Sequence, residues 1–400
     1  MPQPAPGQYA AIVHRLWPAL VALLGIAPGV LLVMEVWQVD PDGVSPTSGK
    51  WPTWDFTNLW AGGVLASAGR LDTLFDPAAY TAWLRALLSP RIEEHEWSYP
   101  PTMLLLGLPL ARLPLIPGYL VWTVGTLALL WTAMRWGGLS IAVAAATILS
   151  PAMFHNMALG QNGALTAALF VGALLLAHRR PVVAGILMGL LIVKPHLGLL
   201  LPVCVIAQRN WRALIAAGLT VLAMIGLTVL LLGVDVWLLF FQHTGPKMRA
   251  ILEAPWPTGF QISSITLFLS VRALGAPVAL AYAIQGVAAL ACIALTWRAW
   301  RMKDADPHAR LALTAALTLL ASPYGYSYDM LAFTAGVAAV MARDGWRVSP
   351  LLALAWLWPG LTHNATYHFL PSSPPVIAAA AWLAWRRLQP AILAPARVAS

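Results

Sequence analysis

From about residue 16 onward, long runs of Leu, Ala and Val follow one another, and charged residues gather at their ends. That pattern constrains the fold more than any motif does. In hydrocarbon every backbone N–H and C=O must be satisfied within the chain, which leaves helices or a closed barrel. A barrel would alternate apolar and polar residues over segments of about ten. Here the runs are unbroken, so they read as helices. Hydrophobic residues make up 60% of the 400 and charged residues only 10%, against roughly a quarter charged in soluble domains. The expectation is an all-α polytopic membrane protein, one integral domain over residues 1–400.

About twelve transmembrane helices are expected, near 16–37, 116–134, 139–154, 163–177, 181–193, 196–207, 213–232, 277–297, 310–321, 327–342, 348–358 and 375–386. Several fall short of the ~20 residues a span needs, so their ends must extend or the bilayer must thin. The stretches 101–113 and 262–274 are ambiguous: broken, re-entrant, or in one case a full span. Met1 to His14 has no basic leader region or clear cleavage site, so the first run reads as a retained helix. Both termini are placed in the cytoplasm. That side then carries 15 of the 24 Lys and Arg residues, Arg15 and Arg397 among them, and only three acidic ones, Asp304, Asp306 and Asp344. This is a positive-inside asymmetry. It puts 38–100, 155–162, 194–196, 234–261, 322–329 and 359–374 on the outer face. The net charge of +9 follows from this topology and does not point to nucleic acid. Cys204 and Cys292 sit inside apolar runs and read as small buried hydrophobes.

The segment Gln38–Pro100 is the longest polar island. Asp76-Pro77 is a helix start, a capping carboxylate followed by proline. Tyr80, Trp83, Leu84, Leu87 and Leu88 then form one apolar stripe, as in an amphipathic helix lying in the membrane interface. A weaker stripe follows Asp55. Asp55 itself lies between Trp54 and Phe56, where poor hydration would raise its basicity and suit a general base. A solvated loop aspartate or a helix cap explains it equally well.

Four other clusters stand out, each with a plainer alternative. Tyr99-Pro100-Pro101 holds a tyrosine at the membrane surface or is simply a turn. Gly160-Gln161-Asn162-Gly163 offers two amides to hydroxyl groups or is a tight turn. Lys194-Pro195-His196 places a lysine suited to phosphate at membrane depth, or a snorkelling span end. Ser322 to Asp329 carries Tyr324, Tyr326, Tyr328 and a carboxylate, as a carbohydrate site or an aromatic belt does. The long loop 234–261, with His243 and Lys247, is placed to cover a site together with Gln261 and Ser263. A second loop, 359–374, holds His363, Asn364, Tyr367 and His368. Neither has metal-ligand spacing, and no cofactor or metal is expected. Together these residues fit transfer of a group off a lipid phosphate better than transport. A secondary transporter or flippase for a polar or lipid-linked substrate is the alternative, and a non-catalytic scaffold is a third.

The order of these motifs resembles glycosyltransferase family 87, the bacterial polyprenyl-phosphate-mannose-dependent mannosyltransferases. The matching residues are Asp55-Phe56 with Ala61-Gly62, Tyr99-Pro100-Pro101 and Gly160-Gln161-Asn162-Gly163. They continue through Arg179-Arg180-Pro181, Ala184-Gly185, Gly189 and Lys194-Pro195 to Ser322-Pro323 and Tyr328-Asp329. The resemblance implies a class C glycosyltransferase fold in a bacterial plasma membrane. It makes Asp55 the catalytic base and puts Lys194, with His196, at the donor phosphate. Asn58, Tyr99, Gln161, Asn162, Gln261, Tyr324, Tyr328 and Asp329 are then expected to contact substrate. The donor would be a polyprenyl-phosphate sugar, expected to be mannose, and the acceptor a lipid or glycan. The family often shows a histidine after the late Ser-Pro, where this chain has Tyr324.

Overall fold

The computed structural model describes residues 6–46, 48–368 and 371–388, with side chains from residue 16 on. Arg397 and the side chain of Arg15, both counted in the charge asymmetry, lie outside the described residues, as do Met1 to Ala5 of the proposed retained N-terminus. The described chain is all-helical apart from one antiparallel bridge between Ser264 and Tyr326. It is a multi-pass membrane protein by its apolar helices. Four of them are long and apolar enough to cross a bilayer: Leu16–Val36, Leu115–Trp136, Trp211–Leu232 and Val278–Arg301. At 1.5 Å per residue, 22 residues reach about 33 Å, which matches the hydrocarbon thickness. Only 17% to 28% of their most apolar stretches is buried. Leu222, Leu230, Val287 and Leu290 point away from the protein, a pattern that makes sense against lipid tails and not against water.

The expected count of twelve is not what the structure shows. A fifth span arises only if Ile141–Ile148 and Pro151–Leu159, bent by 50° at their junction, are one broken span. The bend has a local cause: Ser150 caps the second helix, accepting from Met153 N, and Pro151 occupies its first position. The other short runs are apolar for a different reason. Gly163–Leu176 is buried on nearly every side, as are Pro307–Ala321 and Leu331–Arg343. An all-round apolar helix is either a span or the centre of a large bundle, and these face protein. The ambiguous 101–113 stretch forms a short helix, Leu104–Leu110 after a turn at Pro101–Met103. The 262–274 stretch contains Leu267–Ala273.

The polar island folds onto the bundle. Asp76 accepts from Ala78 N and Ala79 N at 2.9 Å and caps helix Pro77–Leu87. Part of the apolar stripe of that helix faces protein and not an interface: Tyr80 and Leu84 are fully buried, and Tyr80 Oη donates to Asn58 Oδ1 on helix Trp54–Ser67 at 2.8 Å, while Leu87 is exposed. Periodicity reports an apolar face and not what covers it. Two expected loops are also helical. Residues 234–261 contain the helices Asp235–Leu239 and Gly245–Glu253. Pro350–His368 is one continuous helix, so His363, Asn364, Tyr367 and His368 ride on it.

Candidate active site

A cavity of about 450 Å³ opens where the Asp55 segment and the four other singled-out clusters meet. Asp55 enters it from the first turn of helix Trp54–Ser67. Unpaired N–H groups and the helix dipole favour an anion at that end. Thr53, at the cap position, does not cap; its hydroxyl pairs with that of Thr57 at 2.8 Å.

The turn at 160–163 joins this segment to the opposite wall, and its glycines are the reason it can. Gly160 has φ of +68°, and a Cβ there would sit 2.6 Å from Phe56 Cβ. A Cβ on Gly163 would sit 2.2 Å from the carbonyl oxygen of Tyr328. The backbone therefore touches the neighbour of Asp55 on one side and the Tyr324–Asp329 segment on the other. Gln161, between them, lines the cavity and hydrogen-bonds Asp55 through its side chain.

Lys194 stands at a break between two short turns, Leu191–Val193 and Pro195–Gly198. Pro195 keeps it out of the helical region, with φ of −149° and ψ of 71°. Its Nζ donates to Asp329 Oδ1 at 2.5 Å and lies 4.9 Å from the centre of the Tyr328 ring. Asp329 uses its other oxygen to accept from Tyr326 N at 3.1 Å. Both members of the pair are buried.

Asp55 is treated differently. No lysine or arginine forms an ion pair with it among the described residues. Burial disfavours its charged form and raises its pKa from 3.8 to about 6. Lys50, Lys194 and the Gln161 hydrogen bond pull the other way without overcoming burial. The result is a carboxylate still ionised at neutral pH and more basic than a solvated one.

The expected site residues divide into two groups. Asp55, Asn58, Tyr99 and Gln161 line the cavity, and so do Lys194, His196, Tyr324 and Tyr328. Asp55 and Lys194 thus share one cavity. His196 packs edge-on against Tyr324, with ring centroids 5.2 Å apart. Asn58, although at the wall, has its amide engaged at both ends, by Tyr80 and by the carbonyl of Glu96 at 3.1 Å. Asn162, Gln261 and Asp329 lie outside the lining. Gln261 closes a capping box with Thr258 and also donates to the carbonyl of Ala254. Asp329 is occupied by Lys194. Asn58, Gln261 and Asp329 hold the walls up, whereas Asn162 Oδ1 is buried without a hydrogen-bond partner among the described residues.

Sequence reading passed over Lys50 and the strip Glu93-Glu94-His95-Glu96, all of which line the cavity. Arg91 brings them together by pairing with both Asp40 at 3.0 Å and Asp42 at 2.9 Å. That contact pins the 40–50 hairpin beside the strip. The signal was a run of three carboxylates around a histidine, which looks like a solvated face. Among the described residues no group of three or more His, Cys, Asp or Glu could hold a metal ion.

Residues 97–323, more than half of the chain, match the model of glycosyltransferase family 87. No curated protein and no solved structure matches. The matched region contains Tyr99, the 160–163 turn and Lys194, and it stops just before Tyr324. Asp55 and Lys50 precede it. The chain belongs to glycosyltransferase family 87 and is a membrane glycosyltransferase.

Proposed function

We propose that the enzyme transfers a single sugar, mannose, from a polyprenyl phosphate to a hydroxyl of a lipid or glycan acceptor. The observation that carries this reading is that a basic, unpaired carboxylate, Asp55, and a fixed lysine, Lys194, line the same cavity.

Asp55 takes the proton of the acceptor hydroxyl as its oxygen attacks the anomeric carbon of the donor. The new C–O bond forms while the bond from that carbon to the phosphate oxygen breaks. The electron pair leaves on the polyprenyl phosphate, and the proton leaves through Asp55. A single displacement inverts the anomeric configuration. Phosphate is a good enough leaving group to depart without protonation, so one base suffices. Lys194, held by Asp329, offers its remaining N–H groups to the departing phosphate, with His196 beside it. Fixed donors aimed at developing charge are a large part of catalysis. The pair is neutral overall, so Lys50 is the second cation available to that charge.

Aromatic side chains suit both sugar faces and a prenyl chain, and Tyr324, Tyr326 and Tyr328 supply a ladder of them, with successive centroids 5.1 and 5.4 Å apart. Nearly all of the lining segments belong to stretches that the charge asymmetry assigns to one side. This supports an active site on the outer face of a bacterial plasma membrane.

The test is transfer from a polyprenyl-phosphate mannose by wild-type and Asp55→Asn enzyme in nanodiscs. Removal of a general base should cost ~10²–10⁴-fold in rate. Full activity in the variant would end the base assignment.

A further inference from the structure

We propose that the cavity wall beside Asp55 is the acceptor subsite, and that it takes an uncharged sugar headgroup in preference to an anionic one. This rests on Asp55 being the base, since the hydroxyl it deprotonates must lie against the same wall.

That wall is the Glu93–Glu96 strip. Trp54, next to Asp55 in the chain, packs on His95 with ring centroids 4.2 Å apart. Asn58, one turn further along the same helix, holds the carbonyl of Glu96. Glu93, Glu94 and Glu96 therefore line the cavity alongside Asp55, with Lys50 as the cation in the lining and Lys247 acting on Glu96 from outside it. The lysine across the cavity is already engaged by Asp329. A phosphate or carboxylate on the acceptor would meet several carboxylates with little positive charge to offset them. Unfavourable contacts of this kind discriminate between partners as effectively as favourable ones.

A run of glutamates alone would be a solvated surface. His95 separates this strip from that case. It is only 8% exposed. Its backbone is clamped twice by Thr81 Oγ1, which accepts from His95 N and donates to His95 O, both at 3.0 Å. Neither ring nitrogen has a hydrogen-bond partner among the described residues, and Nε2 is fully buried. Burial keeps the ring neutral, with its pKa lowered to about 3. With Nε2 enclosed, only Nδ1 is left to reach the cavity, so the neutral ring can make one hydrogen bond to a sugar hydroxyl. The Trp54 ring beside it supplies the apolar face.

The experiment measures binding of hexyl mannoside and of its 6-phosphate to the full-length protein in zwitterionic nanodiscs, with no donor present. The neutral probe should bind at least ~10-fold tighter, a modest figure for like-charge contacts. The Glu93→Gln/Glu94→Gln double variant, altered only at exposed positions, should close most of that gap. His95→Ala should weaken the neutral probe, with His95→Gln restoring part of the loss. Equal affinities, tighter binding of the phosphate, or a gap that survives the double variant would overturn the proposal. Because binding is read without transfer, these outcomes are separate from the fate of Asp55→Asn, which tests the base.

Discussion

Two aspartates stand at this site, and the protein treats them in opposite ways. Asp329 is saturated: one oxygen holds Lys194 and the other a backbone N–H. Asp55 is left with an amide from Gln161 and with lysines that act on it without pairing. A saturated carboxylate is fixed in place. An unsaturated one in poorly hydrated surroundings stores proton affinity that chemistry can draw on. On the proposed mechanism the contrast separates a positioning carboxylate from a reactive one, and sequence offers the two in different roles, Asp55 as a base and Asp329 at the rim of a carbohydrate site.

The largest effects break the contrast outright. Asp55→Asn should lower the transfer rate ~10²–10⁴-fold while leaving the fold intact, as read by thermal unfolding of the purified protein. Lys194→Met should lower both the rate, through the donor phosphate, and the stability. It leaves Asp329 buried without a partner, which costs about 3–5 kcal/mol of stability. Lys194→Met combined with Asp329→Leu should lose less stability than Lys194→Met alone, because no buried charge is stranded. If the double variant is the less stable of the two, the pair is not the buried unit described here.

A smaller effect concerns pH. The folded-state pKa of Asp55 is raised, from 3.8 to about 6. Its contribution to stability is therefore complete below pH ~4 and is lost as pH rises through about 6. Above that range the ionised carboxylate destabilises the fold. Asp55→Asn should thus be more stable than wild type at pH 7.5, by about 1–3 kcal/mol once partial exposure is allowed for. The advantage should vanish at pH 4. Activity runs the other way, since a base must be deprotonated: the rate should fall as pH drops through about 6. A variant that is inactive yet no more stable at pH 7.5 would mean that Asp55 is not desolvated.

Sequence made the proposed base visible and hid its surroundings. Lys194 could be read because it is a charged residue where charge is costly, and Asp55 because it sits between two aromatic residues. Their shared cavity could not be read, because it depends on two glycines, Gly160 and Gly163, letting backbones touch. The Glu93–Glu96 strip was missed because charge in a polar segment is unremarkable until Arg91 and Thr81 are seen to hold it against the site. Gln261 and Asn58 show a related limit. A polar side chain in a list of residues looks available, and only the fold shows that its hydrogen bonds are already made. The same limit produced the excess of spans. Leu169 buried in protein and Leu230 facing lipid have one composition and two environments.

The finest test asks what sets the pKa of Asp55 between burial and its neighbours. Lys50 is the strongest of the influences that lower it, and the Gln161 hydrogen bond is weaker. Both favour the charged form, so removing either should raise the pKa and move the acid limb of the pH–rate profile to higher pH. Lys50→Met should move it further than Gln161→Leu. The two also differ in kind. Lys50 acts through space from a partly exposed position, so its influence should shrink as salt rises from 0.05 to ~0.5 M and the Debye length contracts. The Gln161 contact is local and should not respond to salt. A limb that moves down in either variant, or a salt response in wild type that survives Lys50→Met, would place the tuning of Asp55 elsewhere in the cavity.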